Sequence, residues 1–377
     1  DRTGVGLAPP APRRDLWTDA FAVFAALGLH RLDPRGPYLA KAQRLVSDVH
    51  RVLGRHRVGD ARYGWISGLS EALGEEHPTT GGLRIGKPLP ERAADEAMDE
   101  RLEWGRDGQY FHYLVMWMHA LDRVARAARD RTYIVHAVEL ARRACAAFVV
   151  APERGAPPQI AWKMSVDLTR VLVASVGQHD AINGLVALER LESTRRMLAP
   201  DLAPLDGETA LLRSMCGTAS VWRTSDPLGA GGLLIDLTLL LGLVERGVLE
   251  ADGLVARLAS EAHHSVDAVK LERSIARPTS ERLAFRELGL MIGLEGISRV
   301  APRLVRAAWG PTYGRTHLEL LLHVEAIVRH RAMAGSIRGD WLAPEARATP
   351  SWREHADIND AMLAAGLAPA ALLDLND

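Results

Sequence analysis

The amino-acid sequence predicts an all-α protein built as one closed ring of six helical hairpins, an (α/α)6 toroid. Apolar residues recur at helical spacing along most of the chain, and alternating runs rich in Val, Ile and Thr are nearly absent. Clusters of Gly and Pro divide the chain into about a dozen helical segments. A repeated pattern, described next, indicates that these segments are paired.

A weak internal repeat predicts helical hairpins. The segment RLDPRGPYLAKAQRLVSDV aligns without gaps with RAARDRTYIVHAVELARRA, so that Tyr38 matches Tyr133. In both copies an aromatic residue is followed by Ala four positions later and Leu seven positions later, which places all three on one helical face. Ala at that face allows a neighbouring helix to approach closely. A ring of six hairpins accommodates this repeat, and an open solenoid is the alternative.

The predicted helices follow from the stop signals, in chain order. They span 15–31, 37–54, 107–128, 131–149, 179–196, 207–219, 230–246, 252–267, 281–294, 296–308, 315–332 and 355–366. We treat residues 1–377 as a single domain. Residues 55–103 and 150–178 are predicted to be long loop insertions that cover the pocket, because loops of this length are usually lids or binding loops.

Composition excludes several classes of protein. Hydrophobic residues make up 47% and charged residues 25% of the chain, as in a globular protein. The 46 Lys and Arg balance 47 Asp and Glu, so no nucleic-acid or acidic-membrane partner is expected. Cys145 and Cys216 fall in apolar helical segments without a C-x-x-C pair and are expected to be reduced and buried. We expect no metal and no other cofactor, since no dinucleotide fingerprint is present.

The N-terminal segment DRTGVGLAPPAPRRD lacks an apolar signal core, which predicts a cytoplasmic protein. No stretch approaches ~18 uninterrupted apolar residues, so a membrane span is not expected. The oligomeric state is not indicated by any pattern in the sequence.

Two short motifs resemble a known superfamily. The repeat around Tyr38 and Tyr133, together with Trp17-Thr18-Asp19-Ala20-Phe21, is similar to the six-hairpin glycosidase superfamily. That superfamily includes unsaturated glucuronyl hydrolases and, in a related ring, N-acylglucosamine 2-epimerases. The segment ERLEWGRDGQYFHYLVMWMHALDRVARA resembles the signature of a subgroup of such toroids. The resemblance implies the ring fold and a pocket that takes a sugar, without specifying which sugar.

A closed ring of hairpins predicts where the pocket lies. All inner helices begin at the same end of the ring, and their first turns carry free backbone N–H groups and a positive partial charge. The junctions before the inner helices are rich in Trp, Asp, Glu, His, Arg and Gly, whereas the starts of the outer helices are not. These junctions span 15–21, 103–113, 175–184, 224–232, 277–287 and 309–319.

Four carboxylates at these junctions are candidate catalytic residues. Asp107 is the first choice, because polar and aromatic residues surround it at a predicted helix start, and Asp180 is the second. Glu281 and Asp19 are further candidates. The alternative for each Asp is a helix N-cap, since Asp is a preferred capping residue.

Candidate substrate-binding residues are Trp or polar residues near these carboxylates. Trp side chains could stack on sugar rings, although they also fill cores. Arg282 and Arg286 share one helical face, and intrahelical ion pairs with Glu281 and Glu287 are the alternative. Lys163 and Asp167 would form an i, i+4 ion pair if helical. The full set is Trp17, Trp65, Trp104, Trp162, Arg106, Gln109, Tyr110, His112, Lys163, Asp167, Gln178, His179, Arg282 and Arg286.

This pattern predicts a carbohydrate-active enzyme, specifically a glycoside hydrolase acting on a small-molecule or oligosaccharide substrate. Glycoside cleavage uses two carboxyl groups, ~6.5–9.5 Å apart for inversion or ~5–5.5 Å apart for retention. Neighbouring inner helices lie ~8–10 Å apart, so carboxylates from separate junctions can reach the inverting distance.

Other functions remain open. A sugar epimerase or isomerase would use histidines as acid and base, and His112, His179 and His317 lie at junctions. A ring that binds a glycan without turnover is a third hypothesis, since one architecture hosts many functions. Terpenoid cyclisation is disfavoured, because the sequence contains no D-D-x-x-D motif.

Overall fold

A computed structural model shows a predominantly helical chain, which confirms the all-α class. It describes residues 13–151, 157–218, 221–250, 252–270, 275–307 and 314–373. About two thirds of the chain is helical, at 66%. The chain divides into two compact units, unit 1 with residues 1–215 and unit 2 with residues 216–377.

Unit 1 contains eight helices and four strands in its described part. The helices are α1 Leu16–Leu32, α2 Tyr38–Leu53, α3 Glu71–Glu76, α4 Glu100–Gly105, α5 Phe111–Ala128, α6 Arg131–Phe148, α7 Asp180–Leu198 and α8 Asp206–Thr218, whose last residues belong to unit 2. The strands are β1 Gln109–Tyr110, β2 Val149–Val150, β3 Gln159–Met164 and β4 Val171–Val176. Strand β3 pairs antiparallel with each of the other three.

The helices of unit 1 form hairpins, as the repeat predicts. Helix α1 packs on α2 and α5 packs on α6, while α1, α5 and α7 lie side by side in one row. Ala42 and Ala137, the matching small residues of the repeat, are fully buried. Asp15 starts α1 by accepting a hydrogen bond from the Thr18 backbone, and Asp130 caps α6 in the same way.

The insertion at 150–178 differs from the predicted loop. Strands β3 and β4 form an antiparallel pair within it, and β1 joins them through the pairing of Tyr110 with Lys163. Lys163 therefore lies on a strand, and the helical i, i+4 arrangement with Asp167 is wrong. The sequence QIAWKM gave no clear two-residue alternation because four of its six residues are buried. The insertion at 55–103 is mainly irregular, with only the short helices α3 and α4.

The described part of unit 2 consists of helices and the segments that connect them. Its helices are α9 Pro227–Glu245, α10 Gly253–Val269, α11 Ala284–Ala307, α12 Arg315–Val328, α13 Arg331–Leu342, α14 Pro344–Arg347, α15 Pro350–Glu354, α16 Ala356–Leu367 and α17 Ala370–Leu373. A single 3-10 turn, Thr279–Glu281, precedes α11. Helices α13, α14, α15 and α17 were not predicted.

Helices α9 and α11 pack closely through glycines. A Cβ atom on Gly231 would lie 2.3 Å from the carbonyl carbon of Gly289, and one on Gly296 would lie 2.6 Å from Oγ1 of Thr238. The sequence analysis placed a helix break near residue 295, between glycines. The helix runs on instead, because these glycines are contact positions for α9 rather than helix stops.

Helix α9 is long and apolar enough to cross a membrane, judged by length and composition alone. Its mean hydropathy is 1.9 over the most apolar window. However, 72% of that window is buried inside the protein, as in a core helix. Burial against α10 and α11 accounts for the apolar composition.

Candidate functional site

The first turns of α1, α5 and α7 meet at one end of unit 1. The ring of Trp17 on α1 lies 5.9 Å from the ring of His112 on α5. Nδ1 of His112 lies 3.9 Å from Oδ1 of Asp180, the first residue of α7. The expectation that helix N-termini share one end is confirmed for these three helices. We call the surface where these three N-termini meet, on which Trp17 and His112 are partly exposed, the N-terminal crevice.

Asp180 is the most unusual side chain in the N-terminal crevice. The residue is only 3% exposed, and its Oδ2 has no hydrogen-bond partner in the described part of the chain. Burial raises the pKa of Asp180 from 3.8 to about 7. His179, rather than Asp180, occupies the N-cap position of α7. A capping role therefore does not account for this carboxyl group.

His112 lies beside Asp180 and is 26% exposed, so it is accessible from the crevice. Burial lowers the pKa of His112 from 6.5 to about 4. At neutral pH its imidazole is therefore uncharged and can accept a proton, while Asp180 is partly protonated. The gap of 3.9 Å is longer than a hydrogen bond, so the two groups are not satisfied by each other.

Aromatic rings line the N-terminal crevice around this pair. Tyr110 stacks on His112 with ring centroids 5.3 Å apart, and Trp162 lies 4.9 Å from Tyr110. Tyr113 packs against Trp17 at 5.2 Å. The Tyr110 hydroxyl is buried and has no hydrogen-bond partner among the described residues. Burial raises the pKa of Tyr110, so this hydroxyl stays protonated and can donate a hydrogen bond.

Trp104 extends the aromatic surface outward. Its side chain is 64% exposed, and its ring meets the edge of Trp162 at 5.2 Å. An exposed Trp of this kind offers a flat apolar face to a ligand. Of the predicted binding residues, the structure therefore gathers Trp17, Tyr110 and Trp162 around His112, which lies beside Asp180, and Trp104 packs on the outer side of Trp162.

Asp107, the first choice for a catalytic carboxylate, is fully buried away from solvent. It forms an ion pair with Arg84, and its Oδ1 accepts hydrogen bonds from the backbone N–H groups of Gly86 and Gly108. Arg84 and Gly86 belong to the insertion at 55–103. These contacts fasten that insertion to the segment preceding α5, so Asp107 has a structural role.

Three further predicted residues make contacts of the same kind. The amide of Gln109 donates to the backbone carbonyls of Gly81 and Val166. The ammonium group of Lys163 donates to Glu103 and to the backbone carbonyl of Arg106 at 2.8–2.9 Å. The guanidinium of Arg106 pairs with Glu96. These side chains hold both insertions in place beside the N-terminal crevice.

Asp19 and Trp65 also have evident structural partners. Asp19 accepts a hydrogen bond from the Asp15 backbone and lies 3.3 Å from Arg14, which completes a reciprocal cap on α1. Burial raises the pKa of Asp19 to about 7 despite the nearby Arg14. Trp65 is buried in the first insertion, beneath the guanidinium of Arg55 at 4.3 Å.

Asp167 and the residues before Asp180 are more exposed. Asp167 accepts hydrogen bonds from Ser165 and Thr169 and lies 3.2 Å from Arg62. Burial alone would raise the pKa of Asp167, but these partners outweigh it and lower the pKa to about 2. Gln178 is exposed and His179 is half-buried at the start of α7.

The predicted site residues of unit 2 form ion pairs. Glu281 is exposed and lies 3.1 Å from Arg277, on the 3-10 turn rather than on α11. Arg282 is buried and donates to Glu287 at 2.9 Å. Arg286 donates to Asp226, the N-cap of α9, at 2.6 Å. The junction at 309–319 falls partly outside the described residues.

A cavity of about 350 Å³ also lies in unit 2, at the C-terminal ends of α9 and α11. Its lining includes Gly242, Glu245, Gly296 and Arg303. Glu245 and Arg303 pair at 3.4 Å, so the two charges compensate each other. We place the candidate site in the N-terminal crevice instead, because perturbed ionisable groups converge there.

Two residues of the N-terminal crevice were missed or undervalued in the sequence. Tyr113 was not selected, although it follows His112 directly at the start of α5. Trp162 was considered only for stacking, and its place depends on the pairing of β3 with β1. The segment QIAWKM has no alternating pattern that would have located it, because four of its six residues are buried.

The fold and the site define an all-α protein of helical hairpins, with a buried carboxyl group beside an imidazole among aromatic rings at its helix N-termini. Neither known protein-family profiles nor the sequences of curated proteins match the chain. Solved structures show a distant likeness.

The chain is similar to a cellobiose 2-epimerase from Spirochaeta thermophila, with 14% identity and a TM-score of 0.49, over 96% of this chain and 87% of that one. A second cellobiose 2-epimerase, from Bacillus thermoamylovorans, gives 9% identity and a TM-score of 0.45, covering 84% and 76%. A GH76 alpha-mannanase from Bacteroides thetaiotaomicron is also similar, with 8% identity and a TM-score of 0.45, over 85% of this chain and 87% of that one. These proteins belong to the six-hairpin (α/α)6 toroid superfamily that the sequence resembles. At such identities and TM-scores, no activity is inferred from the likeness.

Proposed function

We propose that this protein is a carbohydrate-active enzyme in which Asp180 and His112 exchange protons with a sugar bound in the N-terminal crevice. One observation carries the proposal: Oδ2 of the buried Asp180 carboxyl group has no hydrogen-bond partner among the described residues, and Oδ1 of the same group lies 3.9 Å from the imidazole of His112. An unsatisfied buried polar atom in an accessible crevice is typical of a site whose partner is the substrate.

The aromatic lining supports a sugar as the ligand. Trp17 and Trp162 are partly exposed and present apolar ring faces, onto which the C–H faces of a sugar ring pack. Behind them, the Asp180 carboxyl and the Tyr110 hydroxyl, which has no hydrogen-bond partner among the described residues, are the polar groups that a sugar hydroxyl would satisfy. Crevices that combine apolar walls with a few convergent polar groups are typical small-molecule sites.

The reaction that we favour is epimerisation or isomerisation, in which a proton moves beside a carbonyl group. Such a reaction needs a base to remove the proton from carbon and an acid to protonate the oxygen or to return the proton. With pKa values of about 4 and about 7, His112 and Asp180 supply a neutral base and a carboxylic acid near neutral pH. The ionisable neighbour of Asp180 is an imidazole rather than a second carboxylate, which favours this choice over hydrolysis.

Glycoside hydrolysis is the second candidate, and the raised pKa of Asp180 favours it. A carboxylic acid that remains protonated near pH 7 can protonate the oxygen of a leaving group. His112 would then have to activate water in place of the second carboxylate. Glycoside hydrolases usually use two carboxyl groups, so hydrolysis by Asp180 and His112 would depart from the usual arrangement.

The test is incubation with a panel of reducing sugars and disaccharides in heavy water, followed by NMR. An epimerase or isomerase incorporates deuterium at the carbon beside the carbonyl, whereas a glycosidase releases new reducing ends without carbon-bound deuterium. Asp180→Asn and His112→Gln should each reduce turnover by about 10²–10⁴-fold. Glu281→Gln, an exposed acid in unit 2, is the matched control and should retain activity. Full turnover by Asp180→Asn would overturn the proposal.

A further inference from the structure

Unit 2 carries a cluster of histidines that the proposed function does not use. His263 and Asp267 lie on α10, His323 lies on α12, and His330 follows α12. Nδ1 of His263 is 3.0 Å from Nδ1 of His323. The carboxylate of Asp267 lies between two of the rings, 3.4 Å from Nε2 of His263 and 3.3 Å from Nε2 of His330. The sequence analysis did not select any of these residues, because the cluster joins two helices about 60 residues apart.

We propose that His263 and His323 form a binding site for a divalent transition metal, with Cu²⁺ or Ni²⁺ preferred. Two imidazole nitrogens on neighbouring helices, facing each other at 3.0 Å, are within reach of one ion. Imidazole is a ligand that suits the later first-row metals, whereas Mg²⁺ and Ca²⁺ prefer oxygen. The site lies within unit 2 and is independent of the N-terminal crevice and its proposed activity.

The distance between the two nitrogens is compatible with one kind of metal geometry. With metal–nitrogen bonds of ~2.0–2.1 Å, two ligand atoms 3.0 Å apart subtend an angle of about 90–100° at the ion. Such an angle fits the tetragonal geometry of Cu²⁺ and Ni²⁺. A tetrahedral Zn²⁺ site requires a wider angle, and the two nitrogens would have to move apart.

Asp267 fixes the orientation of His263. A histidine that binds a metal usually donates its other ring N–H to a carboxylate, which sets the tautomer and the ring position. A carboxylate oxygen of Asp267 lies 3.4 Å from Nε2 of His263, which favours the tautomer with the proton on Nε2 and the lone pair on Nδ1. With that tautomer, the short contact between the two rings in the metal-free protein is a hydrogen bond donated by Nδ1 of His323. On binding, that proton moves through solvent to Nε2 of His323, and no net proton is released.

Water molecules complete the coordination. Among the described residues, no group of three or more His, Cys, Asp and Glu side chains is arranged to hold a metal ion, so the site has two protein ligands. His263 is 22% exposed, which leaves room for water on the open side of the ion. His264 is occupied on its own helix, since its Nδ1 donates to the carbonyl of Ser260 at 2.7 Å.

Isothermal titration of the full chain, without a polyhistidine tag, tests the proposal. We expect one Cu²⁺ or Ni²⁺ per chain at pH 7.5, weaker Zn²⁺ binding, and no heat with Mg²⁺. His263→Ala and His323→Ala should each abolish this binding, and Asp267→Asn should weaken it by about 10–100-fold. His317→Ala, on the same helix as His323 but outside the cluster, is the matched control and should bind as the wild type does. Undiminished binding by either His263→Ala or His323→Ala would overturn the proposal.

A second measurement covers the case in which a variant fails to fold. The electron paramagnetic resonance spectrum of one equivalent of Cu²⁺ on the wild-type protein should show superhyperfine splitting from two equatorial nitrogens. A spectrum with no nitrogen splitting, or with that of one nitrogen only, would contradict a two-histidine site. Circular dichroism of the metal-free variants establishes whether they are folded before the titration is interpreted.

Discussion

Neighbouring helices are joined in opposite ways in the two units. In unit 1, α5 and α7 meet through a buried charged network, in which Arg190 donates to Asp122 at 2.9 Å and both side chains are fully buried. Thr194 and Arg126 complete the network. In unit 2, α9 and α11 meet through glycines that allow backbone contact, with Gly231 against Gly289. The same hairpin arrangement therefore tolerates either a polar or a glycine-lined contact.

The difference shows what each contact contributes. A buried ion pair adds little net stability, because desolvation offsets the attraction, but it is costly to break. Glycine contacts bring the helices close and depend on the absence of a side chain rather than on its chemistry. Unit 1 also buries Asp180, whose Oδ2 has no hydrogen-bond partner among the described residues. Unit 2 has its own buried ion pair, between Arg282 and Glu287, so the contrast concerns how neighbouring helices meet and not burial of charge as such. Three substitutions test this contrast.

The largest expected effect is that of Arg190→Met in unit 1. Met has a similar volume but leaves Asp122 buried without its main partner, so we expect a loss of about 3–5 kcal/mol in the free energy of unfolding. Urea denaturation of unit 1, followed by circular dichroism, measures it. Arg315→Met, which removes an exposed ion pair on α12, should cause no measurable change. A loss below ~1 kcal/mol for Arg190→Met would show that the network is not what joins α5 to α7.

Asp180→Asn should stabilise the protein at alkaline pH. In the unfolded chain this carboxyl ionises near its usual pKa, whereas in the folded protein its pKa is about 7. Between pH 4 and pH 7 the unfolded state therefore loses its proton first, and the folded wild type loses stability as the pH rises. The variant has no such loss and should be more stable by up to about 4 kcal/mol at pH 8. Calorimetric melting curves at pH 4 and pH 8 measure the difference, which should vanish at the lower pH.

The smallest effect has opposite signs at two adjacent glycines of α9. Gly231→Ala forces a Cβ atom against the backbone of Gly289 and should destabilise unit 2 by about 1–3 kcal/mol. No atom lies within 4 Å of a Cβ atom on Gly232. Gly232→Ala should therefore stabilise the helix by about 0.5–1 kcal/mol through helix propensity alone. If both variants shift the denaturation midpoint in the same direction, the close contact between α9 and α11 is not the reason why position 231 is glycine.

Much of the helical framework was predictable from the sequence. The predicted helices at 15–31 and 37–54 match α1 and α2 within one residue at each end. For both helices, the apolar face and the polar turns at the ends indicate the same boundaries. The break predicted within α11 was wrong, since a glycine at a helix contact looks the same in sequence as a glycine at a helix end. Strand β3 was missed because a strand buried on both faces lacks alternation.

The site was predictable only in part, and the reason is physical. Helix N-termini indicated where Trp17, His112 and Asp180 would meet, since that depends on chain direction alone. Which carboxylate stays unpaired depends on long-range partners. Arg84, which neutralises Asp107, lies 23 residues away in an insertion without regular structure, and no local pattern connects the two. Asp107 and Asp180 therefore looked equivalent in sequence, whereas the contacts of their carboxyl groups differ.

The pairing of β3 with β1 divides the N-terminal crevice between two parts of the chain. Trp162 stands on a strand hairpin between α6 and α7, whereas Asp180 and His112 stand on the helices themselves. A change of sequence within the β3–β4 hairpin can therefore reshape one wall while leaving Asp180 and His112 in place. Because the two parts are separate, substitutions in the hairpin can change which ligand is preferred without altering Asp180 or His112. It also makes residues 159–176 the segment to exchange in an attempt to redirect the protein to a different ligand.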